Sequence, residues 1–191
     1  MISHYPVKSR QQGVTLLELM ITLAIAAILV TLVAPSVQSI VATNRIASQI
    51  NDTSAAIQFA RYSAIDRQTN TVICPSSNYT TCNMSNWNLP KIVFVDSNQN
   101  NQRDADEELL HSTQSAVGDI LVSGPNEIIG FVDTGASRLP NVSLIKVCPS
   151  DGDVKLARGL NINQQGRVKI SGDSDNNGVH EDIEGTALTC S

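Results

Sequence analysis

The chain lacks several patterns on which enzymes and nucleic-acid-binding proteins depend. Its three histidines stand apart from one another, and it has neither a glycine-rich phosphate-binding loop nor a Cys-x-x-Cys spacing typical of zinc or redox sites. Acidic residues outnumber basic residues by 18 to 13, and the net charge of -5 argues against non-specific binding of nucleic acid over the whole surface. We therefore expect no catalytic activity, and any contact with nucleic acid would be local.

The four cysteines are an even number and permit three disulfide pairings. Two disulfides are expected if the domain is exported, because exported compartments are oxidising. We favour Cys74 with Cys82, which would close a short loop, and Cys148 with Cys190, which would tie down the C-terminus. Four buried thiols in a cytosolic protein are the alternative.

Acidic residues are absent from the first thirteen positions, and a long apolar run follows this basic leader at once. In residues 14–34, Glu18 is the one charged residue, and a helix of this length reaches about 31 Å, the thickness of the hydrocarbon layer of a bilayer. The basic leader would stay in the cytoplasm. Residues 14–35 are therefore predicted to cross a membrane once, and a secretory signal peptide is the competing interpretation.

Glycine and proline are absent between Pro35 and Pro75, so a helix can continue beyond the apolar run. The sequence predicts an amphipathic half of this helix over residues 36–70, ending near Gln68. A kink is expected at Pro35, because proline removes one backbone hydrogen bond. The apolar positions that share one helical face are Ile40, Ala47, Ile50, Ile57 and Ala64.

After the helix, short β-branched and apolar runs alternate with turn residues. The runs are TVIC, KIVFV, DILV, EIIGFV, VSLIKVC, VKLARGLNI and RVKIS, and their pattern is typical of strands. We expect an α+β protein in which residues 71–191 form one or two antiparallel sheets packed on the C-terminal half of the helix. Aromatic residues make up 4% of the chain, so the core is modest, with Trp87, Phe94 and Phe131 as its anchors.

The N-terminal residues resemble the class III signal of type IV pilins and type II secretion pseudopilins. A basic leader ends at Gly13 and is followed by Val-Thr-Leu-Leu-Glu-Leu. The resemblance implies that residues 1–13 are removed by a prepilin peptidase and that Val14, where the family usually has Phe, becomes the methylated first residue. Pro35 falls where pilins often carry a proline that kinks the helix.

Glu18 falls at the assembly glutamate of these proteins. A charge inside a membrane costs roughly 2.5–3.5 kcal/mol on insertion scales, so it is retained where a partner offsets that cost. We expect the α-amino group of Val14 in one subunit to approach Glu18 of its neighbour in a filament. The alternative is that Glu18 only extends to the cytoplasmic headgroups.

Later segments resemble the general secretion pathway protein H and FimT-type minor pilins. They are AIQFARYSAIDRQTNTVIC, Trp87 with the following IVFVDSNQNNQRDADEELL, VCPSDG and LNINQQGRVKI. The resemblance implies a pilin fold, an inner-membrane location with a periplasmic C-terminal domain, and incorporation into a pilus or pseudopilus. The implied partners are other pilins, the prepilin peptidase, the inner-membrane assembly platform with its ATPase, and membrane lipid. A membrane-anchored periplasmic binding protein that stays monomeric is the alternative.

Two acidic loops have the spacing of calcium sites. Residues 173–184 match the Asp-x-Asp-x-Asn-Gly-x5-Glu loop, in which Gly178 makes the sharp turn that lets oxygens converge on Ca²⁺. The candidate ligands are Asp173, Asp175, Asn177, Val179, Glu181 and Glu184. An earlier loop matches less well, because Asn101 stands where glycine is needed; its candidates are Asp96, Asn98, Asn100 and Glu107. Asp/Asn-rich turns without a metal are the alternative for both.

Gly166-Arg167-Val168-Lys169 resembles the Gly-Arg-x-Arg hairpin with which FimT-type pilins of naturally competent bacteria contact DNA. Arg167 and Lys169 are therefore candidate DNA-binding residues. Residues 154–172 hold four basic residues and no acid, but five acids follow in residues 173–184. Lysine also lacks the planar fork of arginine for bidentate contact with phosphate. A solvated hairpin is the alternative.

Overall fold

The computed structural model describes residues 13–190, apart from the side chains of residues 32–36. The leader, residues 1–12, lies outside the described residues. Within them, one long helix precedes eight strands. The elements are α1 (Leu16–Arg67), β1 (Thr71–Pro75), β2 (Lys91–Val95), β3 (Leu109–Ser112), β4 (Ile120–Ser123), β5 (Ile129–Phe131), β6 (Ser143–Pro149), β7 (Arg158–Ile162) and β8 (Val168–Ile170).

The chain forms two compact units, and the boundary between them falls within α1. The first unit ends at Ile40. The second unit, Val41–Ser191, contains the rest of α1 and all eight strands. It therefore holds every sheet and the hydrophobic core described below.

The α1 helix runs through Pro35 and ends at Arg67, close to the expected end. The next residue, Gln68, has a φ of 51°, and the amide of Thr69 donates to the carbonyl oxygen of Ala64 at 3.1 Å. A left-handed residue of this kind satisfies the last helical carbonyls and reverses the chain. The side chain of Pro35 lies outside the described residues, so the kink there stays a prediction.

The strands form two antiparallel sheets of four strands each. The first has the order β3-β2-β1-β5 and the second β4-β6-β7-β8. In the first sheet Ile73 pairs with Val93 and with Ile129, and in the second Ile145 pairs with Leu160. The α+β class with a long N-terminal helix and antiparallel sheets is confirmed.

One continuous cluster of buried side chains joins the second half of α1 to both sheets. Each fully buried aliphatic side chain contributes about 1.5–3 kcal/mol to stability. The helix supplies Ile46, Ile50, Ala56, Ile57, Ala60 and Ala64. The strands supply Ile73, Val93, Ile120, Val122, Ile129, Phe131, Ile145, Val147, Leu160 and Ile162. The expected anchors Trp87, Phe94 and Phe131 are all buried.

The buried face of α1 differs from the expected one at its N-terminal end. Ile40 is exposed and Ala47 is half-buried, whereas Ile46 is buried. At about 100° per residue, position 46 lies about 40° from Ile50 around the helix axis and position 47 about 60°. The larger side chain at the closer angle therefore enters the core.

The β3 strand was not expected from the sequence. It forms an edge of the first sheet and pairs with β2, with a shift of register between Val93 and Phe94. None of its four side chains is fully buried. Because an edge strand needs little apolar surface, its sequence LLHS carries no clear alternation.

The structure pairs Cys74 with Cys82 and Cys148 with Cys190, as expected. The first disulfide joins the end of β1 to the following loop. The second joins the end of β6 to the C-terminal segment, 42 residues away in sequence. The segment that follows the last strand, β8, is therefore linked to the second sheet by the Cys148–Cys190 disulfide.

Candidate functional site

The start of α1 is fixed by a capping interaction between Thr15 and Glu18. The amide of Glu18 donates to Oγ1 of Thr15 at 3.2 Å, and the amide of Leu19 donates to the carbonyl oxygen of Thr15 at 3.1 Å. Threonine is a favoured N-cap residue, and its hydroxyl oxygen here accepts one of the free amides of the first turn. Glu18 thus also belongs to the first helical turn, where the helix dipole favours a negative charge.

The Glu18 side chain is exposed, and none of residues 13–190 donates a hydrogen bond to its carboxylate or forms an ion pair with it. Gly13 and Val14 precede the helix and are also exposed. The residues that the sequence assigned to processing and assembly therefore lie within one short exposed stretch. Sequence reasoning missed Thr15, although the Thr-x-x-Glu spacing was the signal for it.

Large apolar side chains cover the described beginning of α1 and are exposed to solvent. They are Leu16, Leu17, Leu19, Met20, Ile21, Leu23, Ile25, Ile28, Leu29 and Val30, each more than half exposed. A helix that is apolar on all sides requires an apolar environment. Residues 14–35 were expected to cross a membrane; over the part of the chain that the structure describes, no helix is both long enough and apolar enough to do so.

The second candidate calcium loop is closed at its base by the bridge between Gly172 and Glu181. Inside this loop, the carboxylate of Asp173 accepts the amides of Asn177 and Gly178 at 3.1 and 2.9 Å. Gly178 has a φ of 88°, so the sharp turn that the spacing requires is present. One carboxylate oxygen from each of Asp173, Asp175 and Glu181 lies within 4.8 Å of the other two.

Glu184, expected as the last ligand of this loop, does not join that carboxylate group. A separate turn explains its position: the amides of Glu184 and Thr186 both donate to Oδ1 of Asp182 at 2.9 Å. The bridge at Glu181 and this turn redirect the chain before it reaches Glu184. The side chain of Asn177 bonds instead to Asp175 and to the amide of Val179.

In the earlier acidic loop, the candidate ligands have protein partners. Oδ2 of Asp96 forms an ion pair with Arg138 at 2.9 Å, and both carboxylate oxygens of Glu107 accept backbone amides. The amide groups of Asn98 and Asn100 both donate to Asp104 at 2.8 Å. A guanidinium therefore already neutralises the buried carboxylate of Asp96, and calcium binding by this loop stays a prediction.

The Gly166–Lys169 stretch forms the expected hairpin between β7 and β8. Gly166 has a φ of 72°, and its amide donates to the carbonyl oxygen of Asn163 at 2.9 Å. A side chain at Gly166 would collide with the carbonyl oxygen of Gly135, so glycine is required sterically as well. The turn presents Arg167 to solvent.

Two of the basic residues of this region, Arg167 and Lys169, line different cavities. Arg167 lines a groove of about 480 Å³ together with Arg61 and Tyr62 of α1. Lys169 lines a different cavity, which it shares with Glu181. Arg158 donates to the carbonyl oxygens of Lys155 and Ala157, and burial lowers its pKa. We call the first cavity, lined by Gln58, Arg61, Tyr62, Ile65, Gly166, Arg167 and Val168, the Arg61–Arg167 groove.

Lys91, at the start of β2, is fully buried, and its Nζ has no hydrogen-bond partner among the described residues. Desolvation lowers the pKa of this amine from its ordinary 10.5 to about 8. Its backbone is well paired: the amide donates to Oγ1 of Thr113 at 2.9 Å. Nothing in the sequence KIVFV indicated a buried charge.

A long N-terminal helix whose second half packs on two antiparallel sheets is the architecture of pilin-type subunits. The crystal structures of the type IV minor pilin FimU from Pseudomonas aeruginosa, in two crystal forms, have this fold. One crystal form superimposes with a TM-score of 0.55 at 18% sequence identity, and the match covers 68% of this chain and 90% of FimU. The other superimposes with a TM-score of 0.51 at 17% identity, and the match covers 65% of this chain and 91% of FimU.

A family model described as Type II transport protein GspH matches residues 49–174, and a prokaryotic N-terminal methylation motif matches residues 8–34. The chain therefore belongs to the GspH family. No curated protein matches it. The family and the solved neighbours are structural pilin subunits rather than enzymes.

Proposed function

We propose that the chain is a minor subunit of a pilus or pseudopilus, of the kind that type IV pilus and type II secretion systems share. The exposed apolar surface at the start of α1 is the observation that carries the proposal. In water such a surface is unfavourable until another apolar surface covers it. Inner-membrane lipid covers it before assembly, and the helices of neighbouring subunits cover it in the filament.

Processing would occur at the exposed stretch that precedes α1. The methylation motif includes Gly13 and Val14, and both are accessible at the start of the helix. A prepilin peptidase that cuts after Gly13 leaves a free α-amino group on Val14. The leader, with its basic residues, is thereby removed on the cytoplasmic side.

The new amine supplies a partner for Glu18. Removed from water, an isolated carboxylate and an isolated ammonium are both costly, and pairing offsets the cost of each. Contact between Val14 of one subunit and Glu18 of the next therefore favours polymerisation over the dispersed state. The assembly platform and its ATPase would add the subunits one at a time.

The two disulfides support a periplasmic location for the second unit. Disulfides persist in oxidising compartments and are rare in the cytosol. The pairs Cys74–Cys82 and Cys148–Cys190 both lie in Val41–Ser191. This unit would face the periplasm while the start of α1 stays at the inner membrane.

A pair of substitutions separates the charge of Glu18 from its role in the cap. Glu18→Gln removes the charge but keeps the backbone amide that Thr15 caps. Thr15→Val removes the cap, at about 0.5–2 kcal/mol, and keeps the charge. We expect Glu18→Gln to remain in the membrane fraction and to be absent from sheared filaments. Thr15→Val should still be incorporated.

N-terminal sequencing of the mature protein tests processing separately. Cleavage after Gly13 would leave Val14 as the first residue. A chain recovered with its leader intact, and never with filament components, would instead favour a monomeric membrane-anchored binding protein. Normal incorporation of Glu18→Gln into filaments would refute the pairing of Glu18 with the amine but not the processing step.

DNA binding by the Arg61–Arg167 groove is a second candidate function. The groove combines two guanidinium groups with Tyr62, whose side chain is exposed. Arginine pairs with phosphate, and aromatic rings stack on unpaired bases. This combination favours single-stranded over double-stranded DNA.

A further inference from the structure

The acidic loop of residues 172–181 holds three carboxylates close together without a basic partner. Asp173, Asp175 and Glu181 each place one oxygen within 4.8 Å of the other two. None of the three forms an ion pair with a residue of the described chain. Like charges at such distances repel one another, and a cation bound among them would offset this repulsion.

Glu181 is the buried member of this group. The residue is 6% exposed, and its Oε1 atom is fully buried with no hydrogen-bond donor among residues 13–190. Its Oε2 atom accepts the amide and the hydroxyl of Ser174, both at 2.7 Å. A buried carboxylate oxygen without a donor is costly. Oε1 of Glu181 belongs to the carboxylate that groups with Asp173 and Asp175.

The loop geometry suits a calcium ion. Ca²⁺ takes six to eight oxygens at about 2.3–2.6 Å, so oxygens on opposite sides of one ion lie about 4.6–5.2 Å apart. The three carboxylate oxygens lie within 4.8 Å of one another, close enough for a single ion of this size to contact all three. Mg²⁺ demands near-octahedral geometry and usually keeps several of its waters, so a group of three carboxylates favours Ca²⁺.

The loop backbone also holds these ligands in place before an ion binds. Asp173 accepts the amides of Asn177 and Gly178, and Oδ1 of Asp175 accepts the amide of Asn177 at 3.1 Å. The amide of Glu181 donates to the carbonyl oxygen of Gly172 at 2.8 Å. Both carboxylate-bearing ends of the loop are therefore fixed relative to each other.

We propose that Asp173, Asp175 and Glu181 bind one Ca²⁺ ion, with loop carbonyls and water completing the shell. Glu181 takes the place that the loop spacing assigns to Glu184. The ion ties the loop to the bridge residue Glu181, which also pairs with Ala187. Together with the Cys148–Cys190 disulfide, it orders the C-terminal segment that follows β8.

The test uses the full chain in detergent micelles, stripped of metal with EDTA and titrated with CaCl₂ in a calorimeter. We expect one site with a dissociation constant of about 10⁻⁴–10⁻³ M, and a midpoint of thermal unfolding that rises with CaCl₂. Asp175→Asn and Glu181→Gln should each weaken binding at least about tenfold, because ligand charge sets calcium affinity.

Glu184→Gln is the matched control, since it removes the same charge from the same segment but lies outside the carboxylate group. It should keep the wild-type affinity within about twofold. Equal weakening by Glu184→Gln and Glu181→Gln would overturn the assignment. So would an equal affinity for MgCl₂, or the absence of both heat and a thermal shift at about 10 mM CaCl₂.

Discussion

Arg138 Nη1 lies 2.9 Å from Oδ2 of Asp96, whose side chain is completely buried. The pair joins the residue after β2 to the segment after β5, and the amide of Arg138 donates to Gly130 of β5 at 2.8 Å. This ion pair thus fixes two strands of the first sheet, and it neutralises Asp96, the first candidate ligand of the earlier acidic loop.

Arg138→Ala should lower the free energy of unfolding by about 3–5 kcal/mol, because it leaves the Asp96 carboxylate buried without a counter-charge. Urea denaturation followed by the fluorescence of Trp87, the one tryptophan of the chain, measures the change. Arg67→Ala is the control. Its ion pair with Glu108 is exposed on both sides, so its loss should cost less than about 1 kcal/mol. Equal losses of stability in Arg138→Ala and Arg67→Ala would show that burial does not determine the cost of breaking these ion pairs.

The buried amine of Lys91 predicts an unusual dependence of stability on pH. Its pKa is about 8 in the folded protein and 10.5 ordinarily, so between these values the unfolded chain binds more protons. Stability should therefore rise as the pH increases from 8 to 10.5, by up to about 3 kcal/mol from this group. Below pH 8, the cost of burying the charged amine lowers the stability of the folded protein by its full amount.

Lys91→Met isolates this effect, because methionine fills a similar space without a charge. The variant should be more stable than the wild type at pH 7, by about 1–3 kcal/mol, and the difference should shrink toward pH 10.5. Urea denaturation of both proteins at several pH values measures it. A difference that is independent of pH would show that the amine is not the cause.

The two disulfides should differ in their contribution to stability. They link residues 42 and 8 positions apart, and a longer closed loop restricts the unfolded chain more. Replacing Cys148 and Cys190 by alanine should cost about 4 kcal/mol, and replacing Cys74 and Cys82 about 2.5 kcal/mol. Denaturation of the two double variants gives the order, and the reverse order would show that local packing outweighs chain entropy.

Seven strands and half of the helical core residues could be predicted because alternation and helical spacing are local properties of the sequence. Seven expected runs became seven strands, whereas β3 was missed because an edge strand buries little. Ile46, Ala56 and Ala60 were missed because they lie off the spacing of seven that the prediction followed, whereas a helix has 3.6 residues per turn.

The candidate sites depended on contacts that local spacing does not specify. Of the two glutamates expected as ligands, Glu181 joins the carboxylate group and Glu184 does not. This follows from the bridge between Glu181 and Gly172, a pairing between two loop residues with no strand pattern. Arg61 and Arg167 line one groove because α1 packs beside the β7–β8 hairpin. The two arginines are more than a hundred residues apart in the sequence. The burial of Lys91 likewise depends on tertiary packing.

DNA binding, if it resides in the Arg61–Arg167 groove, should depend on Arg167 and much less on Lys169. Arg167 is exposed on the groove that also contains Tyr62, whereas Lys169 shares a cavity with the carboxylate of Glu181, which opposes phosphate. Arg167→Ala should therefore weaken binding of fluorescein-labelled single-stranded DNA by about tenfold, and Lys169→Ala by less than about twofold. Fluorescence anisotropy at low salt measures both.

The salt dependence separates a phosphate contact from a loss of structure. Each neutralised phosphate of a single strand contributes about 0.7 to the slope of log affinity against log salt, so Arg167→Ala should reduce that slope by about this amount. Tyr62→Leu should weaken binding while leaving the slope unchanged, because stacking releases no counterions. Equal effects of Arg167→Ala and Lys169→Ala would place the DNA contact outside the groove, because Arg167 lines the groove and Lys169 does not.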